Sequence, residues 1–509
     1  MSRRRLWVLL GIVVATLTWQ ALQRPRPAAP EAVSAITGAA GTAEVWQLGQ
    51  LQLHACDIGA RRGGTVRAWC ARFDVPEDWQ QLQGRRISLR VAVVRSEAAA
   101  PADDLVTFLD GGPGGAATED YPGYAAAFSA LRRRHHLLLV DQRGTGGSNA
   151  LNCQEGEPDT ASLPDPAQLE QGLQRCLDKL RARAEPRFYT TTEATRDLEA
   201  VRLALGGPVL NLVGVSYGTR VAQQYATRYP HAVRSVVLDS AVPNELMLGA
   251  DHARNLETTL QAYFAECAAQ PACRMRYGDP YASMQKLHRQ LRQAPQRAAG
   301  RDPLSFTPLE RTLSEDEFTA LLRLYAYSPL TASLLPLMID QALQGNFSPL
   351  LGQAQLLFDS VTERLTDGMG LSVACAEDVA GLRVNPADAQ TLLGTGLVEF
   401  LIKACAIWPR GSMPADFHQA FTSTLPVLVL AGERDPVTPP RYAETVIANL
   451  PGARLLRLKG QGHAVMGVGC MPRLVAEFVQ QLDAHGLDAR CLDTLGPTPS
   501  FVDYNGADP

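Results

Sequence analysis

The chain has 509 residues, 46% of them hydrophobic and 20% charged, with a formal net charge of −4. This is the make-up of a folded globular protein and excludes a disordered, collagen-like or polytopic membrane chain. Acidic and basic residues nearly balance, so there is no electrostatic footprint for nucleic acid and no nucleic-acid partner is expected.

In chain order, residues 1–26 open with Arg3, Arg4 and Arg5, followed by a 14-residue apolar run at 6–19. A basic start and a short apolar run make an export signal, and the run falls short of the about 20 residues a spanning helix needs. The segment reads as a cleaved signal or, if uncleaved, as an N-terminal membrane anchor. Residues 27–45, rich in Pro, Ala and Gly, read as a linker. The segment 87–96 alternates and is β-branched, the pattern of a half-buried strand. Apolar runs then recur at 105–110, 136–141, 209–215, 235–239, 426–432 and 454–460, most of them ending in a Gly-rich or polar turn. Continuous apolar strands of this kind belong to a parallel sheet covered on both faces.

Helical patterns fall between the runs. Residues 191–205 carry Thr191 or Thr192 as the expected N-cap and stop at Gly206-Gly207, and a second helix follows Ser216 and stops at Pro230. The rhythm breaks over 243–410, which is mostly helical in pattern and is expected to be a cap inserted over the sheet's active edge. The expected organisation is a core over 46–242 and 411–495, with a tail at 496–509. The fold class is α/β: a mostly parallel central sheet flanked by helices, with an inserted helical domain.

Ten cysteines stand at Cys56, Cys70, Cys153, Cys176, Cys267, Cys273, Cys375, Cys405, Cys470 and Cys491. An even count clustered in pairs, behind an export signal, suggests five local disulfides in an oxidising compartment. Pairing neighbours in order is the simplest arrangement, although sequence does not determine connectivity and buried free thiols are the alternative. No Cys/His spacing suggests zinc, and no metal or other cofactor is expected.

Gly214-Val215-Ser216-Tyr217-Gly218 matches the Gly-x-Ser-x-Gly string. Alone it is unspecific, but here an apolar strand precedes it and an Ala-containing helix follows. That is the context of a nucleophile elbow, a sharp strand-to-helix turn that exposes the serine hydroxyl. A serine needs a base, and the base needs an orienting acid. Asp435, just past the run 426–432, and His463, just past 454–460, follow in the order Ser, acid, His that this fold uses. Asp239, at the end of 235–239, is the rival acid. The developing oxyanion needs fixed donors. The backbone N–H of Tyr217 is one candidate, and the Gly111-Gly112-Pro113-Gly114 turn, through Gly111 and Gly112, supplies the other.

Taken together and in order, the strings GGPGG (111–115), DQRGTGGS (141–148), GVSYGTR (214–220), AGERDPVTP (431–439) and GQGHA (460–464) resemble those of the prolyl iminopeptidase/tripeptidyl aminopeptidase branch of the α/β-hydrolases. The chain looks most like the exported tripeptidyl aminopeptidases, whose cysteine pattern is similar, and the resemblance spans roughly 46–491. It implies a sheet domain with a helical cap, no metal, and cleavage of short N-terminal pieces from peptides with free N-termini. DQRGTGGS is expected to shape a strand-end turn, with Asp141 and Arg143 structural. The sequence departs from the prolyl iminopeptidase pattern at Asp110, where that branch has His. A carboxylate there opposes the oxyanion unless it points away. An aminopeptidase must also hold the substrate's ammonium, which calls for carboxylates near the cap. Glu377 and Asp378, beside Cys375, are the candidates. A carboxylesterase with the same triad and a non-catalytic binding protein on the same fold are the alternatives.

Overall fold

The computed structural model describes residues 45–59, 64–152, 166–364 and 366–507. The expected signal segment and, except for Val45, the expected linker lie outside them. Twelve strands occur among the described residues: β1 (Val45–Leu48), β2 (Leu51–Ile58), β3 (Val66–Pro76), β4 (Arg86–Val94), β5 (Leu105–Leu109), β6 (His136–Val140), β7 (Leu210–Val215), β8 (Val233–Asp239), β9 (Gln296–Arg301), β10 (Pro308–Leu313), β11 (Val427–Gly432) and β12 (Arg454–Leu458). Ten form one sheet in the order β1-β2-β3-β4-β6-β5-β7-β8-β11-β12. From β6 to β12 every neighbouring pair is parallel, whereas β1 to β4 and the β4–β6 junction are antiparallel. The parallel half matches the apolar runs, because strands covered on both faces must be apolar on both. Strands β1 to β3 were not expected. They carry polar residues among the apolar ones, as the exposed positions of an antiparallel edge allow.

The principal helices are α1 (Ala117–Tyr124), α2 (Thr191–Ala204), α3 (Tyr217–Arg228), α4 (His252–Ala269), α5 (Pro280–Gln293), α6 (Glu315–Tyr325), α7 (Leu335–Leu343), α8 (Gly396–Ile407), α9 (Pro440–Ile447) and α10 (Met471–Gln481). Alternation along the strands sorts side chains into two core layers. Leu212, Val236 and Val429 pack with Leu198 of α2, Val221 of α3 and Val446 of α9. Val213, Val237 and Leu430 face the other way, toward Tyr121 of α1 and Leu474 and Phe478 of α10. The N-cap of α2 is Thr190, not Thr191 or Thr192: its side chain accepts the Glu193 N–H.

Between β8 and β11 the chain is mainly helical, with a β9–β10 antiparallel hairpin that the sequence pattern did not suggest. This stretch has its own apolar centre, formed by Leu256, Phe264, Leu287, Phe318, Leu322 and Ile339. The described residues nevertheless form one compact unit.

Among the described residues, four disulfides join Cys56–Cys70, Cys267–Cys273, Cys375–Cys405 and Cys470–Cys491. The fifth expected pair includes Cys153, outside the described residues. The strand-end turn after β6 is organised by buried polar groups. Asp141 accepts from the Thr118 N–H and hydroxyl and from the Gly147 N–H, and Arg143 pairs in bidentate fashion with Asp197 at 2.6 Å. Among the described residues no helix is long and apolar enough to cross a membrane.

Candidate active site

Strand β7 ends at Val215 and α3 begins at Tyr217, so Ser216 makes the whole turn, with φ 56° and ψ −125°. A left-handed φ is costly for a residue with a side chain and persists only where its surroundings enforce it. They do so through close packing. A Cβ on Gly218 would stand 2.0 Å from the Leu109 carbonyl oxygen, so strand β5 could not lie this near the elbow with any other residue there. Ser216 itself remains partly exposed.

Asp435 lies in the loop after β11 and is fully buried, whereas the His463 side chain, in the loop after β12, keeps 9% exposure. The His463 Nδ1 lies 2.8 Å from Asp435 Oδ2. The same carboxylate accepts the N–H groups of Val437 at 2.9 Å and Thr438 at 2.8 Å, and the Thr438 hydroxyl at 2.7 Å. Burial alone would push the Asp435 pKa up. The adjoining His463 and these donors hold it down at about 2. Burial likewise lowers the His463 pKa, but Asp435 and Asp239 outweigh it and raise the imidazole above its ordinary value.

The nucleophile turn and the histidine loop are both fastened to Asp239 at the end of β8, and the histidine loop also to Ser240 just past it. The Ser216 N–H donates to the Asp239 carbonyl at 2.9 Å. The Asp239 carboxylate accepts the Val465 and Met466 N–H groups at 3.0 and 2.7 Å, and Ser240 Oγ accepts the Ala464 N–H at 2.9 Å. Asp239, the rival acid, thus holds the backbone of the histidine loop, while Asp435 bonds the imidazole. Burial, opposed by those two N–H groups, raises the Asp239 pKa to about 6.

The inserted segment supplies the other side of the histidine's seat. The His463 N–H donates to the Tyr327 carbonyl at 2.8 Å, and the Tyr327 ring stands edge-on to the imidazole with centroids 5.0 Å apart. A Cβ on Gly462 would meet that carbonyl oxygen at 2.1 Å, so a glycine is required for the approach. Sequence reasoning did not single out Tyr327, Thr438 or Ser240. Thr438 lay inside a quoted motif, whereas Tyr327 carries no local signal, being an aromatic just past a helix end.

The turn after β5 lies against the nucleophile: a Cβ on Gly111 would stand 3.1 Å from the Ser216 Cβ. The Gly111 N–H donates to Asp110 Oδ1 at 2.8 Å and is therefore occupied. The backbone N–H groups of Gly112 and Tyr217 have no protein acceptor among the described residues. Of the two glycines expected to stabilise the oxyanion, only Gly112 keeps an unoccupied N–H among the described residues. Burial, and after it the neighbouring Asp120 carboxyl, hold the Asp110 pKa well above the usual carboxylate range. That shift favours the uncharged form of Asp110 and so eases the conflict that a carboxylate at this position posed.

Glu377 and Asp378 require a correction. They lie on a short π-turn, Ala374–Asp378, with side chains fully buried. Glu377 accepts the Thr191 N–H at 2.7 Å and the Thr191 hydroxyl at 2.9 Å. Asp378 accepts from Arg220 and from the Leu248 N–H, both at 3.0 Å. The π-turn points both acids into the protein, where they cap α2 and neutralise Arg220, so neither faces a substrate ammonium. Among the described residues no group of three or more His, Cys, Asp and Glu side chains could hold a metal ion.

A family model described as alpha/beta hydrolase fold matches residues 104–469. The chain is 25% identical over 471 residues to the serine protease Hip1 of Mycobacterium tuberculosis, covering 81% of this chain and 85% of the relative. It is also 25% identical over 472 residues to the tripeptidyl aminopeptidase of Streptomyces coelicolor, covering 84% of each. Among solved structures, the proline iminopeptidase of Mycobacterium smegmatis aligns at 17% identity with a TM-score of 0.34, over 81% of this chain and 98% of that one. With an elbow serine, a buried acid–imidazole pair and a mostly parallel sheet covered on both faces, the chain belongs to the α/β-hydrolase fold family.

Proposed function

We propose that the protein is an exported serine hydrolase that releases short N-terminal pieces from peptides by acyl transfer to water. Ser216 Oγ attacks the scissile carbonyl while His463 Nε2 takes its proton. Asp435 holds the imidazole through Nδ1 and stabilises the imidazolium that forms. The oxyanion of the tetrahedral intermediate is met by the N–H groups of Tyr217 and Gly112. Collapse breaks the C–N bond as His463 returns the proton to the leaving amine, and a water, deprotonated by the same imidazole, hydrolyses the acyl-enzyme.

One observation carries this reading: the Asp435–His463 bond is fastened, through Asp239 and Ser240, to the same strand end as the strained Ser216 turn. The tripeptidyl aminopeptidase among the relatives supports the peptide specificity, and the disulfides support export. The inward-turned Glu377 and Asp378 favour a second reading, a carboxylesterase, since they leave the substrate ammonium without the carboxylates assigned to it. A fluorophosphonate probe should label Ser216 and no other serine. A free-amine tripeptide anilide should be cleaved with a higher kcat/KM than its N-acylated form or a short p-nitrophenyl ester. Ester preference would establish the second reading, and absence of labelling would remove both.

A further inference from the structure

Helix α4 of the inserted segment lies along the loop that carries Asp435. Asn255, Thr259 and Glu266 all belong to α4, at a spacing that keeps them on one face of a helix with 3.6 residues per turn. Each meets that loop. Asn255 Nδ2 donates to the Val437 carbonyl at 3.0 Å, and Thr259 Oγ1 lies 3.5 Å from the Asp435 carbonyl oxygen. Glu266 Oε1 accepts from Arg434 Nε at 3.0 Å and also from its Nη2. One face of α4 therefore reaches the residue before the acid, the acid's own backbone and the loop just beyond it. Val437 also donates its N–H to Asp435 Oδ1 at 2.9 Å. The residue that Asn255 holds by its carbonyl thus orients the carboxylate by its amide. At the other end, the Arg434 N–H donates to the Gln461 carbonyl of the histidine loop at 2.7 Å.

Asn255 is buried, and its side chain has a partner in each direction. Its oxygen accepts from Arg441 Nη2, which fixes which way the amide faces. Nδ2 also donates to the Tyr442 hydroxyl at 3.1 Å, and that hydroxyl donates to Asp251 at 2.7 Å. An amide held from three sides has one pose, and so has the carbonyl bonded to it.

We propose that Asn255 and Glu266 are positioning residues of the triad: α4 grips the acid loop on both sides of Asp435 and holds its carboxylate on His463 Nδ1. The inserted segment is then part of the scaffold that aims the acid and not only a cover over the sheet edge. The proposal rests on the hydrolase reading and adds to it the residues outside the triad on which the base depends.

The rate constant for fluorophosphonate labelling of Ser216 depends on His463 being the free base, so its rise with pH reports the imidazole without any choice of substrate. Asn255→Ala leaves the Val437 carbonyl without its donor and lets the acid loop relax away from Nδ1. A weaker contact with the carboxylate lowers the imidazole pKa, so the midpoint of that rise should move to lower pH. The plateau rate constant should fall about tenfold to 10²-fold, the scale of a displacement of up to about 1 Å. Tyr442→Phe removes a partner of Asn255 but leaves the Val437 bond, so it should lower the melting temperature and keep the parent midpoint. Glu266→Ala should move the midpoint in the same direction as Asn255→Ala. Glu266→Gln keeps an acceptor for Arg434 and should stay near the parent. The partly exposed Glu266 pair of variants decides the matter if Asn255→Ala does not fold. An unmoved midpoint in either alanine variant overturns the role of that residue, whatever its melting temperature. An equal shift in Tyr442→Phe marks general loosening and overturns the role of Asn255, and an equal shift in Glu266→Gln marks an effect of charge and overturns that of Glu266. Failure of the parent protein to label counts against the hydrolase reading, whereas labelling with unmoved midpoints counts against the α4 grip alone.

Discussion

At Asp435 three protein donors besides His463 converge on one carboxylate, which keeps it ionised and aimed at Nδ1. Two predictions follow from the charges around the triad. His463 accepts the Ser216 proton only as the free base, so kcat/KM should rise with pH as the imidazole deprotonates. Its raised pKa places the midpoint of that limb above the ordinary 6.5. Asp435→Asn should shift the limb to lower pH and cut kcat by about 10³–10⁴-fold, as loss of the orienting acid does in other triads. A midpoint unmoved by the substitution would count against this pairing. The second prediction concerns Asp110, which is neutral while protonated. As pH climbs through its raised pKa, a negative charge appears beside the amides proposed to hold the oxyanion, and kcat should fall. Asp110→Asn, which carries no charge at any pH, should lose that decline. Parallel pH–rate profiles of the parent and the variant decide it.

On the scale of elements, the segment leaving α6 acts as one wall of the base's seat. Gly462→Ala places a methyl group 2.1 Å from the Tyr327 carbonyl oxygen, so the histidine loop must move. A displacement of about 1 Å at a reacting group commonly costs about 10²-fold in rate, and kcat should drop by that order with Ser216 still present. Tyr327→Phe keeps the ring on the imidazole and should stay near the parent. Tyr327→Ala removes an edge-on contact worth about 0.5–1.5 kcal/mol and should lower kcat by up to about tenfold. Equal rates for the two variants would show that only the Tyr327 backbone matters. The turn after β6 depends on a buried charge pair instead. Arg143→Met leaves Asp197 without its bidentate partner and should destabilise the fold by about 3–5 kcal/mol in denaturant unfolding.

Over the whole molecule, the widest separation closed by the four described disulfides, 30 residues, is that of Cys375–Cys405, which joins the π-turn to α8 within the insertion. Chain entropy assigns a loop of that length about 3–4 kcal/mol, so Cys375→Ala/Cys405→Ala should lower the midpoint of thermal unfolding by several degrees. The buried strands β5 to β8, β11 and β12 were legible because their apolar runs encode a strand covered on both faces within a few residues. The positions of Ser216, Asp435 and His463 were legible for a related reason: a glycine-flanked turn at a strand end is itself a local statement of geometry. Strands β1 to β3 and the β9–β10 hairpin were not, since an antiparallel edge mixes polar and apolar residues as loops do. By itself the sequence determined the kind of sheet, the elbow and the strand-end positions of Asp435 and His463. Only the tertiary structure decided that Asp435 rather than Asp239 meets the imidazole, that Gly112 rather than Gly111 keeps a free N–H among the described residues, and that Glu377 and Asp378 face inward. Periodicity and turn chemistry act over a handful of neighbours, whereas the direction a charged side chain takes is set by whichever distant segment packs against it and by the cost of burying a charge unpaired.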